Sequence, residues 1–447
     1  MRNTRRTLFA CITAALVGPC PAGAVDVASD GTGGALIIPY YTVDNGNTTI
    51  VTISNDSSQP KGVKLTVRES VNGRDVLGFN LYLGAYDQWS AAIFSLSPSS
   101  GAFLTTSDSS CTVPAIRGNN ALPTLPSDGA RYVPFRNFFY SGDRADGGPA
   151  ALTRTRQGYI EVIETATLTG PSAASATPRD CARLVAAWAT NGYWINNRTV
   201  DVTAPTGSIS ATAEIIDVAK GAAVSVPVVA LENFRAATAP APHEPPGGDT
   251  PTLADATGGI DAVSAALVRG AIANEVSTDA AIDAQTEWVV TFPTKRYHTD
   301  TAIVGTTPRA PFTATTGGTA GLAGTCAGAR IVSFSADGLR CDEPTGVGPS
   351  CEIEPLCDAV SLVRFARSGD TRRIFGGVAQ TLDLPSGKST LRLQRLDNDE
   401  PYAWQLGEQT LTGLPVVGFS TSTFTNANAQ PGLLATYART TPHRRGE

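Results

Sequence analysis

The stretch EWVVTFPTKRYHTD, residues 287–300, gathers Trp288, Lys295, Arg296, Tyr297, His298 and Asp300 within fourteen positions. An imidazole beside a carboxylate and two cations has the groups needed for proton transfer, ligand binding or metal coordination. A second candidate is the carboxylate pair Glu161 and Glu164 in GYIEVIE, because a glycosidase requires only two acids held across a cleft. A third is aromatic. Tyr40 and Tyr41 in LIIPYY and Tyr86 and Trp89 in AYDQWSAAIF are suited to stacking on sugar rings, and Tyr86, Trp89, Trp288 and Tyr297 make the candidate ligand surface. The acidic turns Asp143-Arg144-Ala145-Asp146-Gly147 and Asp397-Asn398-Asp399-Glu400 offer oxygen ligands to Ca2+, without EF-hand spacing.

Local context argues for plainer roles. Trp288, Val290 and Phe292 alternate with Glu287, Val289 and Thr291, so one strand face is a buried Trp-Val-Phe row. Pro293 cannot donate to a ladder, so the strand stops there or becomes an edge, and Lys295 to Asp300 fall in a polar exit loop. Glu161 and Glu164, three apart on a strand, point to opposite faces and form no local dyad; each reads as a half-exposed sheet residue. Strand aromatics generally pack in cores or on edges, and acidic turns are generally solvated.

Other motifs are incomplete. The three histidines, His243, His298 and His443, form no H-E-x-x-H arrangement. No G-x-S-x-G elbow is present, and Ser58-Gln59-Pro60-Lys61 matches S-x-x-K without a companion motif. Ser386-Gly387-Lys388-Ser389-Thr390 resembles the end of a phosphate loop, but Leu382 occupies the required first glycine position, so it reads as a turn between strands. No catalytic, cofactor-binding or metal residue is assigned, and a non-enzyme is the preferred reading.

The elements that must position these residues are mostly strands. ALIIPYYTVDNGNTTIVTIS and GVKLTVRESVNGRDVLGFNLYL each carry an Asn-Gly pair between β-rich runs, the type I′ hairpin signal. Val63, Leu65 and Val67 alternate with Lys64, Thr66 and Arg68, as do Phe79, Leu81 and Leu83 with Asn80 and Tyr82, which predicts one buried and one wet face. Further strands are expected in DQWSAAIF, GYIEVIETATL, SISATAEIIDV, EWVVTF, ARIVSFS, AVSLVRFA, STLRLQRL and LPVVGFST. One helix is predicted with Thr177 as N-cap, Pro178 at its first position and Asn191-Gly192 after its last turn, and a second with Ile260, Val263, Leu267 and Ala271 on one face. The fold class expected is mainly β, an antiparallel sandwich of immunoglobulin-like or jelly-roll-like type with a few short helices. Residues 236–259, rich in Pro and Gly, divide an N-terminal domain, 25–235, from a C-terminal one, 260–447.

The first residues, MRNTRRTLFACITAALVGPCPAGAVD, place three arginines before a short apolar run and Ala22-Gly23-Ala24, the pattern of a signal peptide cleaved after Ala24. Both the general and the twin-arginine export routes fit it. Cleavage removes three of the 34 basic and none of the 40 acidic side chains, leaving a net charge of about −9 that argues against nucleic acid or anionic membranes as partners. No later segment has the length of a membrane-spanning helix. Six cysteines remain, an even number suited to disulfides outside the cytoplasm. If the halves fold separately, Cys111 pairs with Cys181; among the last four, Cys341–Cys351 inside Cys326–Cys357 is the preferred arrangement. A zinc site of four thiolates lacks the C-x2-C spacing.

Several segments together carry a family resemblance. LIIPYYTV, NTTIVTISND with GVKLTVRE, VLGFNLYLGAYDQWSAAI, GYIEVIE, NEVSTD with EWVVTFPTKRYHTD, and LPVVGFST with ATYARTTPH resemble an uncharacterised family of exported β-rich proteins from Gram-negative bacteria. NTTIVTISND with VKLTVRE also resembles paired strands of bacterial immunoglobulin-like domains. The resemblance implies export and a sandwich, and supplies no activity or ligand. The expectation is a periplasmic, surface or extracellular structural or adhesion-type protein, with a cell-surface protein or polysaccharide as partner. The alternative is a carbohydrate-binding protein or a carboxylate-based glycosidase.

Overall fold

The computed structural model describes residues 24–177, 179–313, 325–335, 340–341, 353–367, 369–377, 379–395, 397–430 and 433–446. The signal segment 1–23, Pro178 and the Cys341–Cys351 pairing therefore lie outside the described residues. Among those described the fold is mainly β, in sheets that are antiparallel except where Val360–Ala366 pairs in parallel with Ala379–Asp383.

Two sheets form the first sandwich. In one, the strands run in the order Asp26–Val27, Val229–Glu232, Ala35–Thr42, Gln157–Leu168, Lys61–Glu69, Asp75–Leu83 and Cys111–Val113. In the other the order is Ala222–Val226, Ile209–Asp217, Asn47–Asn55, Gln88–Ser95, Ala102–Thr105 and Tyr132–Pro134. Alternate residues of each strand meet between them: Val63, Leu65, Val67, Phe79, Leu81, Val51, Ile53 and Trp89 belong to one hydrophobic cluster. Pro39 sits within Ala35–Thr42 where the pairing with Gln157–Leu168 shifts register between Gly158 and Ile160, the position a strand allows a residue without an N–H.

A second pair of sheets lies beyond 259. One holds Ala379–Asp383, Val360–Ala366, Gln285–Thr291, Val417–Gln430 and Leu433–Pro442; the other holds Arg340–Cys341, Ala329–Ser335, Gly387–Leu393, Ala271–Val276 and Arg444–Arg445. The predicted Trp288, Val290 and Phe292 row is buried between them with Phe365 and Leu391. Its opposite face is also covered. Val289, Leu362 and Phe419 pack into the cluster of the first sandwich beside Tyr40 and Phe375, and Thr291 Oγ1 donates to Pro39 O at 2.7 Å. Residues on either side of 236–259 thus share one core.

Several local expectations are corrected. Asn45 and Gly46 both have positive φ, as the turn signal requires, but the flanking strands enter different sheets, so the turn is an arch between layers and not a hairpin. The Asn72-Gly73 turn does join paired strands, Lys61–Glu69 and Asp75–Leu83. The face expected to be wet is enclosed: Lys64, Thr66 and Arg68 are buried, as are Asn80 and Tyr82. Segment 236–259 and the helices 170–196 lie over it. Proline lacks an N–H, so a Pro-rich segment leaves carbonyls free to accept; Lys64 Nζ donates to Pro246 O and Gly248 O, and Asn80 Nδ2 to Glu244 O, at 2.8 to 2.9 Å.

The predicted helix begins later than Thr177. It covers Cys181–Ala187 with Asp180 at the N-cap position, after a separate turn of helix at Gly170–Ala176. Asn191 keeps the left-handed conformation expected after its end. The second helix stops at Ala266, with Ile260 and Val263 buried, and Ala271 opens a strand. Cys111–Cys181 fastens the Cys181–Ala187 helix to the sheet, where Trp188 Nε1 donates to Tyr82 Oη at 2.7 Å and Trp194 stacks on the same ring. Cys326–Cys357 is also formed. Mass mapping of unreduced protein is expected to recover peptides joined through Cys111–Cys181 and Cys326–Cys357; a free thiol at any of the four contradicts this arrangement.

Candidate functional site

The turn after Pro293 is where the sequence and the structure differ most. Lys295–Thr299 is a short helix, and Lys295, Tyr297, His298 and Asp300 are all enclosed instead of forming a polar loop. This helix is set against the outer face of the first sandwich, opposite Arg68 and Glu161. Arg68 Nε lies 2.7 Å from Glu161 Oε1, its Nη1 pairs with Asp75, and its Nη2 donates to Tyr297 Oη at 2.9 Å. Asp75 also meets Arg296 at 3.2 Å, and Arg296 meets Asp300 at 3.4 Å. Asp300 takes both Nη groups of Arg74, at 3.0 and 3.1 Å, and caps the next helical turn through Ala302 N.

The network continues through Arg154. Its guanidinium forks onto Glu69, at 2.7 and 2.9 Å, and onto Asp146, at 2.5 and 2.8 Å, and stacks over the Tyr140 ring at 4.2 Å. Asn72 Nδ2 donates to Asp146 as well. Arg68, Arg74, Arg154 and Arg296 thus face Glu69, Asp75, Asp146, Glu161 and Asp300 in one cluster that joins residues 68–161 to residues 296–300. Burial works against the charge on Asp146, but Arg154 and Asn72 hold its carboxyl below the ordinary range. Burial raises Glu161 despite the opposing Arg68.

The other candidate residues have structural partners too. Glu164 is on the opposite face from Glu161, as the spacing requires, but neither is half-exposed: both are buried, and Glu164 pairs with Lys61 at 2.8 Å while accepting from Thr206 N and Gly207 N. Asp146 is no solvated turn residue, whereas Asp397 is exposed and paired with Arg395. Glu287 accepts from Ile374 N and Phe375 N, and its burial raises its carboxyl. Lys295 donates to Cys357 O, and burial lowers its amine to about 8 against the pull of Asp358.

His298 Nε2 lies 2.9 Å from Ser264 Oγ, the distance of a base from a nucleophile. Both side chains are wholly enclosed, and Ser264 Oγ also donates to Thr294 Oγ1, so the pair serves as an interior polar contact. The proposed ligand surface is not assembled. Trp89, Trp288 and Tyr297 are interior, and Tyr86 alone is exposed, at a turn where its φ is +53°.

Comparison with protein-family models, curated proteins and solved structures finds no match for this chain. The residues themselves therefore carry the functional argument. Two of the clefts among the described residues bear on function. One, of about 690 Å³, lies where the halves meet and is lined mostly by polar and charged residues; its Asp217 and Asp283 are paired with Lys220 and Arg372. The other, of about 840 Å³, is largely apolar and borders the Asp75–Leu83 strand. The sequence signal for the ionic cluster was present but ambiguous: charges alternating with Val and Leu in GVKLTVRE suit a wet face as well as a covered one. Among the described residues no helix is long and apolar enough to cross a membrane, and no group of three His, Cys, Asp or Glu is gathered as a metal site.

Proposed function

We propose that this chain is an exported, non-catalytic structural or adhesion-type component of the cell surface or extracellular space. The observation that carries this reading is the use made of Glu161, Tyr297 and Arg68: the acid and aromatic groups best placed for chemistry are spent, out of solvent, on joining the two halves. Two disulfides brace the same body, in keeping with an oxidising compartment. The acidic balance of the chain and the resemblance to exported β-rich proteins of Gram-negative bacteria favour export and a partner that is a surface protein or a polysaccharide.

One observation favours a second reading, a carbohydrate-binding protein or glycosidase: Asp217 and Asp283 line the same polar cleft. A glycan array and a hydrolase panel on purified mature protein separate the two. The structural reading expects no turnover, and any glycan retained on the array is recovered unchanged. Reproducible hydrolysis that is lost in Asp217→Asn or Asp283→Asn would overturn it in favour of the glycosidase.

A further inference from the structure

We propose that the apolar cleft beside the Asp75–Leu83 strand binds a small amphipathic carboxylate, a molecule with an alkyl or aryl body and one anionic head. The cleft measures about 840 Å³, and its walls include Leu77, Phe79, Phe135, Phe138 and Phe139. That is the size and lining of a site for a compact apolar ligand. Phe79 and Phe135 belong to the sandwich core and form the floor, whereas Phe138 is 54% exposed although its ring meets Phe139 edge-on at 5.1 Å, so an apolar ring stands open at the rim.

The charge of the lining selects the head group. Lys64 is 2% exposed and lines the cleft, yet Pro246 O and Gly248 O take only two of its three ammonium hydrogens. No carboxylate among the described residues forms an ion pair with it. The acids that act on it from further away are Asp75, Glu244 and Asp249. Asp75 is committed to Arg68 and Arg296, Glu244 pairs with Arg198, and Asp249 is exposed. Burial without a counter-ion lowers the Lys64 amine to about 8.

Arg136 adds a second cation. It lies on the same lining, is exposed, and has no side-chain partner among the described residues. Arg144 stacks over the Phe138 ring at 4.1 Å. An anionic head therefore meets unspent positive charge while its body covers Phe138 and Phe139. A neutral head leaves the ammonium without a charged partner, and a cationic one is repelled.

Gly78 gives a way to close the cleft. It lies on the lining outside the left-handed region, and a Cβ added there would sit 3.8 to 4.0 Å from Lys64 Cε and Nζ, an ordinary contact. The backbone thus accepts a Cβ at residue 78 without strain, and Gly78→Met is the variant chosen to fill the cleft.

The test is titration of the mature protein with anilinonaphthalene sulfonate, followed by fluorescence and displacement with octanoate, 1-octanol or octylamine. One dye per chain is expected, with octanoate displacing it at a concentration at least about tenfold below that of 1-octanol, and octylamine weaker still. Arg136→Ala should raise the octanoate requirement about threefold or more. Gly78→Met should abolish dye binding while its circular dichroism and thermal midpoint stay those of the parent. Absence of stoichiometric binding, equal displacement by octanol, or undiminished binding in folded Gly78→Met overturns the proposal. If Gly78→Met does not fold, an unchanged octanoate response in Arg136→Ala, whose side chain is exposed, overturns it by itself.

Discussion

Replacing Arg68 by Met lowers the free energy of unfolding by about 3–5 kcal/mol, the cost of stripping one partner from a buried ionic cluster. The guanidinium has no access to water, and it serves Glu161, Asp75 and the Tyr297 hydroxyl together. Without it Glu161 keeps only the phenol at 3.4 to 3.5 Å, and Asp75 keeps Arg296. The measurement is equilibrium urea unfolding, where the midpoint should fall with little change in slope. Adding Glu161→Leu to Arg68→Met should recover most of the loss, because it removes the acid left unpaired and restores an apolar contact. A single Arg68→Met variant as stable as the parent would show that the cluster contributes nothing to holding the helix at 295–299 against the sheet.

Acidification from pH 7 to pH 5 is expected to cost about 2 kcal/mol for each of His243 and His298, on the order of 4 kcal/mol together. Burial lowers the first to about 4 and the second to about 3, each from an ordinary value of 6.5. Above 6.5 both rings are neutral in the folded and unfolded chain alike. Below it the unfolded chain takes up protons that the folded one refuses until about pH 4 and pH 3, so stability falls through that window. Glu161, Glu287 and Asp358 act in the opposite direction, since burial raises them and the folded chain binds their protons first. The share of these two rings is isolated by comparing the parent with His243→Gln/His298→Gln; His443, which burial also lowers to about 4, titrates alike in both chains. The pH dependence of the double variant should be flatter by about that amount; the same slope in both chains contradicts the assignment.

How far these properties were legible depends on the range of the forces behind them. The Trp288, Val290 and Phe292 row, the stop at Pro293, the opposite facing of Glu161 and Glu164, and the β-rich class follow from pleat geometry and from the missing proline donor. These rules operate between near neighbours, and so they survive in one dimension. The Cys111–Cys181 pairing was accessible for a related reason, since the position of two cysteines in the first half and four in the second restricts the choices.

The misread residues share one feature, which is a covering element that arrives from far along the chain. Lys64, Arg68 and Glu161 look like the wet side of an antiparallel sheet until segment 236–259 and the helix at 295–299 are laid over them. The same alternation then changes its meaning, from solvated charge to paired interior charge. The Asn45-Gly46 turn has the backbone its residues demand, yet whether it closes a hairpin or arches between sheets depends on the strands at 157–168 and 209–217. Residue order thus settled the strands, their faces and the first disulfide through local sterics and backbone donors. Which faces are dry, which acids are consumed and which cleft stays open were decided by contacts hundreds of residues apart, where desolvation and ion pairing act only once the chain has folded.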